Sequence, residues 1–198
     1  MFVIKEGVMN TEEVLKQFVH VEKSSWRGNY DGVRAEIVKW SYGDDDIYSS
    51  PQWNYYILVY EGQVPPTNWP RYWIDGKEPD KFGRVWYPLH ETFFYDLDWP
   101  GGSEFSYYEK FIGEHAQGGR VGNGVKFGCG YSNREWAPAI VEDVLKEMRY
   151  IIQSLREVEP DLKYICDYCG GFFHGHEGHS LGAGWYCEEH HLTVSMAR

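Results

Sequence analysis

Two pairs of metal-type ligands constrain this chain more than any other feature of it. Cys166 and Cys169 stand three apart, Cys187 and His190 stand three apart, and seventeen residues separate the pairs. Two thiolates at that spacing can grip one ion from a tight turn. A Cys and a His three apart can face the same ion from the first turn of a helix, which completes the tetrahedron that Zn2+ prefers. The competing account of these cysteines is a disulfide or simple packing. Three of the four Cys in the chain fall within twenty-two residues, beside a histidine cluster, and in a reducing compartment that grouping favours metal over oxidation. We therefore expect one Zn2+ held by Cys166, Cys169, Cys187 and His190. His191 lies on the same helical face and competes with His190 for the fourth position.

The short Cys-x2-Cys and Cys-x2-His knuckles resemble those of a treble-clef finger. That resemblance implies a knuckle, a hairpin and a short helix around one metal. From Tyr164 to Ala197 the chain has no Lys or Arg, whereas Asp167, Glu177, Glu188 and Glu189 are acidic. Phosphate binding needs the opposite sign, so a structural or protein-contacting finger is expected rather than a nucleic-acid reader. Four ligands fill the shell of the metal and leave no open position for a catalytic water. His174, His176 and His179 sit between the knuckles in the run H-G-H-E-G-H. They could hold a second metal, form a pH-sensitive edge, or simply make a solvated loop tip.

A length of 198 residues allows one real core and a small appendage. We place the body at residues 1–160 and the finger at 161–198. The formal charge of -11 argues against nucleic acid or an anionic membrane as the general partner. The longest apolar run, Tyr55 to Tyr60, is far short of a membrane span, and the start M-F-V-I-K-E-G lacks the features of a signal peptide. The expectation is a cytoplasmic protein. Aromatic residues make up 18% of the chain, more than a core of this size needs. Either some rings face a pocket or partner, or a β-rich fold uses them along its strands.

In order along the chain, Phe2 to Ile4 reads as a short strand. Asn10 and Glu13 make a capping-box start for a helix that buries Val14, Leu15, Phe18 and Val19. Ser24 to Gly32 reads as a polar turn region, and Val33 to Tyr42 as a half-exposed strand, because Val33, Ala35 and Ile37 alternate with Arg34 and Glu36. Asp44 to Asp46 form an acidic turn. Trp53 to Tyr60 is apolar on both alternate sets, the pattern of a central strand covered on both faces. The stretch Val64 to Gly83 is long and rich in Pro, and it carries Trp69, Arg71, Tyr72 and Trp73. These make it a candidate lid or binding loop. Arg84 to Leu97 reads as strand in two pieces around Pro88, and Ser103 to His115 fits helix or strand. Val125, Phe127 and Cys129 share a strand face opposite Gly128 and Gly130, which leave room for a close neighbour. Cys129 reads as a small core residue. A helix follows, with Pro138 near its start, Glu142 and Asp143 at its positive end, and a stripe of Ile140, Val144, Leu145, Met148, Ile151, Ile152 and Leu155 running to Pro160. The expected class is α+β, a mainly antiparallel sheet with a long amphipathic helix and a small C-terminal zinc finger.

The series W-N-Y-Y-I-L-V-Y-E-G, L-H-E-T-F-F and G-V-K-F-G-C-G-Y before that helix resembles a domain of small uncharacterised bacteriophage proteins, over about residues 53–155. Where that family has an acidic residue and a histidine after its aromatic-Gly pair, this chain has Gly130 and Asn133. Only His90 matches as a polar position. The resemblance implies a phage or prophage accessory gene and supplies no activity. The aromatic excess, the long Trp-bearing loop, the acidic balance and the absence of a recognisable catalytic constellation lead instead to the expectation of a non-enzymatic accessory or anti-defence protein, in the cytoplasm of a bacterial host, that sequesters a ligand or blocks a host protein. Homo-oligomerisation is compatible with it. Two other classes stay open: a hydrolase of a small or nucleotide-like substrate using His90, Glu91, His115 or the hairpin histidines, and a structural phage protein.

Overall fold

The computed structural model describes residues 15, 19–22, 25–40, 52–100, 104–115, 121–130, 140–181 and 184–196. The strand at Phe2, the capping box at Asn10, the acidic turn at Asp44 and the proline at 138 lie outside them. Val19, expected on the buried face of a helix, opens a strand instead.

Six strands form one antiparallel sheet: β1 (Val19–Glu22), β2 (Ser25–Tyr30), β3 (Val33–Trp40), β4 (Gln52–Tyr60), β5 (Glu104–His115) and β6 (Val121–Gly130). Their spatial order is β1-β2-β3-β4-β6-β5. The architecture is α+β, with one main helix, α1 (Val141–Val158), of 18 residues. As its sequence pattern requires, β4 lies inside the sheet. Tyr55, Ile57 and Val59 point to one face and Leu58 and Tyr60 to the other, and all five are buried.

One face of the sheet packs against α1. Val33, Ala35 and Ile37 from β3, Tyr55, Ile57 and Val59 from β4, and Val125, Phe127 and Cys129 from β6 meet Val144, Leu145, Met148, Ile151, Ile152 and Leu155 in a single cluster. Ile140, expected in that stripe, precedes the helix in extended conformation and is exposed. Val141 is buried and begins the stripe in its place. Segment 84–97 holds no strand. Phe94 instead enters the core: it is fully buried, with its ring centroid 4.3 Å from that of Phe127, while Trp86 and Tyr95 stay exposed. His90 of this segment stands on the 3-10 turn Leu89–Glu91.

The second face differs most from its sequence pattern. Ser24 to Gly32 is not a turn region: residues 25–30 are β2, paired with β3 from Ser25↔Val38 to Tyr30↔Val33. Asp31 and Gly32, with φ of 48° and 76°, make the two-residue connection. That is a tight hairpin turn needing left-handed backbone at both positions. Nor is β3 half exposed, since Arg34 and Glu36 are both buried. Glu36 accepts from Arg27 at 2.8 Å and from Lys126 at 2.8 Å, an ion ladder across three strands. Burial works to raise the Glu36 pKa, but hydrogen bonds and charge from Lys126 and Arg27 outweigh it and hold the carboxyl below its usual range. Lys126 also lies 4.7 Å from the ring centroid of Tyr56. That ring, together with the Tyr55 carbonyl, occupies the space bared by Gly128. The close neighbour is thus the adjacent strand and its aromatic side chain, with no helix involved.

The C-terminal residues fold against the rest of this face. Four short strands, β7 (Tyr164–Ile165), β8 (Phe172–Phe173), β9 (Gly178–Leu181) and β10 (Gly184–Cys187), form two hairpins, and a nine-residue helix, α2 (Glu188–Met196), follows. Ile165 joins Leu58 and Tyr60 in a second apolar cluster flanked by Phe111 and Phe172. Backbone bonds stitch the contact, with Ile165 N donating to Gly32 O at 3.0 Å and Lys163 N to Gln63 O at 2.9 Å. Asn29 Nδ2 donates to Ile165 O at 2.7 Å. The Arg156 guanidinium lies 3.8 Å from the Tyr164 ring centroid and donates to Asp31 O.

Gly32 meets that same ring so closely that a Cβ there would overlap it, whereas Gly83, at φ 77°, has nothing within 4 Å. Gly83→Ala should therefore cost only left-handed strain, about 1–2 kcal/mol. Gly32→Ala should cost more, because Tyr164 must also move. Urea denaturation of the two variants checks this, and equal losses would show that the ring contact contributes nothing.

Candidate functional site

The first pair of ligands is positioned by the turn between β7 and β8. Gly170 N donates to Cys166 O at 2.9 Å and Cys166 N to Gly171 O at 2.8 Å. Gly170 takes φ 66°, which this tight reversal requires. Gly171 N donates to the Cys169 sulfur at 3.3 Å. The second pair lies at the junction of β10 and α2: Cys187 ends the strand, and His190 follows on the first helical turn. Asp167 brings the halves together, its N donating to Trp185 O at 2.8 Å and its carboxylate accepting from Trp185 N at 3.0 Å.

The result is a compact donor set. The ligand atoms of Cys166, Cys169, Cys187 and His190 lie within 4.8 Å of one another. Cys187 Sγ is 3.0 Å from His190 Nδ1 and 4.0 Å from Cys169 Sγ. Such a set can hold a metal ion. Its electrostatics fit that use. Burial tends to raise the Cys166 thiol, but backbone N–H groups of Cys169, Cys187 and Tyr168 overcome it and hold Cys166 below the usual thiol range. Cys187 is pushed up to about 12 by burial and by the neighbouring sulfurs of Cys166 and Cys169. Three thiolates at this distance repel one another, and a cation among them relieves the repulsion.

His191 is not in the set. Its ring lies 4.2 Å from that of His179, which resolves the competition in favour of His190. His174 and His176 have ring centroids 5.8 Å apart. Among the described residues, the Cys3His group is the one cluster of three or more such side chains able to share an ion. His90 is exposed and 3.5 Å from Glu91 Oε1. His115 ends β5 opposite Val121. These positions fall on separate elements.

The long loop folds onto the sheet and the C-terminal end of α1. Glu159, 1% exposed, accepts from Arg71 at 2.6 Å and from Asn68 at 3.0 Å, and the Tyr72 hydroxyl lies 3.5 Å away. Arg71 also donates to Val158 O, which places a cation on the last free carbonyls of the helix. Tyr72 is fully buried, and its carbonyl accepts from the Tyr108 hydroxyl at 2.7 Å. Trp69 and Trp73 are partly buried against the core with ring centroids 5.7 Å apart. With Glu61, Pro70, Asp75 and Asn123 they line an open cleft of about 520 Å³. Glu61, Asp75 and Asn123 had no sequence signal, because three separate segments supply them. No family model, curated protein or solved structure matches the chain. Among the described residues no helix is long and apolar enough to cross a membrane.

Two sets of variants test these placements. His190→Ala should weaken metal binding while His191→Ala leaves it unchanged. Metal should also be lost on acidification, because binding requires the thiols, Cys187 above all, to give up their protons. Competition titration with a chromogenic chelator over a pH series reads both effects. Arg71→Ala, which takes the charge partner from buried Glu159, should cost about 1–3 kcal/mol in chemical denaturation. A loss near zero would mean that Asn68 and Tyr72 suffice.

Proposed function

We propose that this protein is a non-catalytic binding protein in which Cys166, Cys169, Cys187 and His190 hold a structural Zn2+, and the Trp69 to Trp73 segment receives a small ligand or part of a host protein. The identity of the metal is supported by the donor chemistry. Three soft thiolates and an imidazole in a small tetrahedral set suit Zn2+ and not the hard cations that seek oxygen. Four protein ligands leave no site for a reacting water, so the ion contributes folding energy to the finger. The order of knuckle, hairpin and helix supports a treble-clef form.

The binding reading is carried by one observation, the cleft in which two part-buried tryptophans stand beside Glu61, Asp75 and Asn123. Pockets of a few hundred cubic ångströms lined by aromatic side chains with a few polar groups are the usual form of a small-ligand site. With the resemblance to phage proteins, this points to an accessory or anti-defence role, in which the protein sequesters a ligand or occupies a host protein.

Native mass spectrometry on protein purified from infected or defence-active cells should show one Zn2+ per chain and a retained ligand or partner. The Cys166→Ser, Cys169→Ser double variant should lose the zinc, and Trp69→Ala with Trp73→Ala should lose the ligand. An absence of stoichiometric zinc on elemental analysis would overturn the metal assignment. Because the finger covers Arg34, Leu58 and Tyr60, removing the metal should also lower the melting temperature of the body. A body that melts unchanged after chelation would show that the finger does not contribute to it.

The same tryptophans pack on the core, so their replacement carries a folding cost. Each Trp→Ala should lose up to about 3 kcal/mol of stability. Ligand loss therefore has to be measured at a temperature where the variants remain folded, beside Trp→Phe variants that keep most of the packing.

A further inference from the structure

The cleft carries a chemical signature that narrows its ligand. Two indoles and two carboxylates line it together with a proline and an amide, and among the described residues no Lys or Arg does so. An indole face is the negative end of a quadrupole and attracts a cation placed over it. Carboxylates attract the same charge, and the field of a chain carrying -11 adds to both. An uncharged ligand would gain from the indoles alone. An anion would be repelled by Glu61, the carboxylate that Lys110 does not pair.

The protein already makes this pairing once with its own side chain. Lys110, on β5, places Nζ 4.8 Å from the ring centroid of Trp73 and 3.3 Å from Asp75 Oδ1, so one ammonium engages one indole and one carboxylate together. Glu61 offers a second carboxylate to the cleft, oriented by a hydrogen bond from Asn123 Nδ2 at 3.2 Å. Trp69 offers a second indole, stacked on Tyr72 with the rings 12° from parallel and thus held in place.

We propose that the cleft between Trp69, Trp73 and Glu61 binds an organic cation through an alkylammonium group, in the way Trp73 and Asp75 engage Lys110. This rests on the reading of the cleft as the binding site and adds the class of ligand. The ammonium belongs either to a free small amine or to a lysine side chain of a basic partner protein. Both sources present the same chemistry.

The test uses the full chain loaded with metal and labelled with nitrogen-15. The indole N–H signals of Trp69 and Trp73 are assigned through their Trp→Phe variants. Choline, its uncharged carbon isostere and a lysine-rich peptide are titrated separately. Choline should shift both signals and bind about tenfold more tightly than the isostere. Glu61→Gln should weaken choline about threefold and leave the isostere unchanged. A peptide that binds more tightly than choline identifies a basic partner protein as the source, and the reverse order identifies a free amine. Equal affinity for choline and the isostere, or no effect of Glu61→Gln, overturns the cation proposal but leaves the cleft as an apolar binding site. If all three probes are silent while the tryptophan variants still lose the ligand seen in native mass spectrometry, the ligand is of another class and the proposal fails alone. Silent probes together with unaffected retention remove both.

Discussion

The structure depends on how the second face of the sheet is closed. Arg34 is among the largest fully buried side chains of the chain, and it lies on the face that β3 turns away from α1. Burial lowers the pKa of its guanidinium, while Tyr60 and Asp167 act to raise it. The group stays charged at any ordinary pH, so it needs acceptors where water cannot reach. Asp167 belongs to the knuckle that carries Cys166 and Cys169, and the same carboxylate accepts from Trp185 in the second hairpin. Asp167 thus helps close the finger through its hydrogen bonds and acts on the buried cation through its charge, while Tyr60 supplies Arg34 with a side-chain hydrogen bond.

The opposite face is closed by more ordinary means, with an equally local dependence on one carboxylate. Seven buried apolar residues of α1 cover it, and the long loop seals its end by bringing Asn68, Arg71 and Tyr72 to Glu159. Phe94 then fills the middle, packed against Tyr72, Phe105, Tyr108 and Phe127. The aromatic excess therefore serves both purposes open to it. Some rings complete the core, and Trp69 and Trp73 form a wall of the cleft while resting on that core.

The ion ladder of Arg27, Glu36 and Lys126 explains why a strand with charged residues on one side is not half exposed. Glu36 has one partner on the neighbouring strand β2 and another on β6, across β4, and the aliphatic stems and the Tyr56 ring cover what remains. The polar residues of β2 have the same logic. Arg27 faces Glu36 and Asn29 faces Ile165 O, so their polarity answers partners on the same face and is no mark of a loop.

The sequence by itself determined the features whose physics is local. The spacing of Cys166, Cys169, Cys187 and His190 is enough to bring four donors together once a turn and a helix start exist, and the structure brings them together. The two-sided apolar pattern of Trp53 to Tyr60 fixed a central strand, and the stripe from Val144 to Leu155 fixed the buried face of a helix. The hairpin of β2 and β3 escapes such a reading despite its Asp31-Gly32 turn signal, because the polarity of residues 25–30 reads as a turn region. Only the tertiary structure decided what was long-range. Alternation could not show that Arg34 and Glu36 are buried, because their surroundings are assembled from other elements: Glu36 is paired by Arg27 on β2 and by Lys126 on β6, 90 residues away, and the finger folds over the same face. Val85, Trp86 and Phe94 have strand propensity but join no ladder of the sheet: Phe94 is drawn into the core, and Val85 and Trp86 stay exposed. The cleft has walls from three segments joined by no pattern in the chain: Asp75 comes with the loop, but Glu61 and Asn123 join Trp69 and Trp73 only when the end of β4 and β6 meet it.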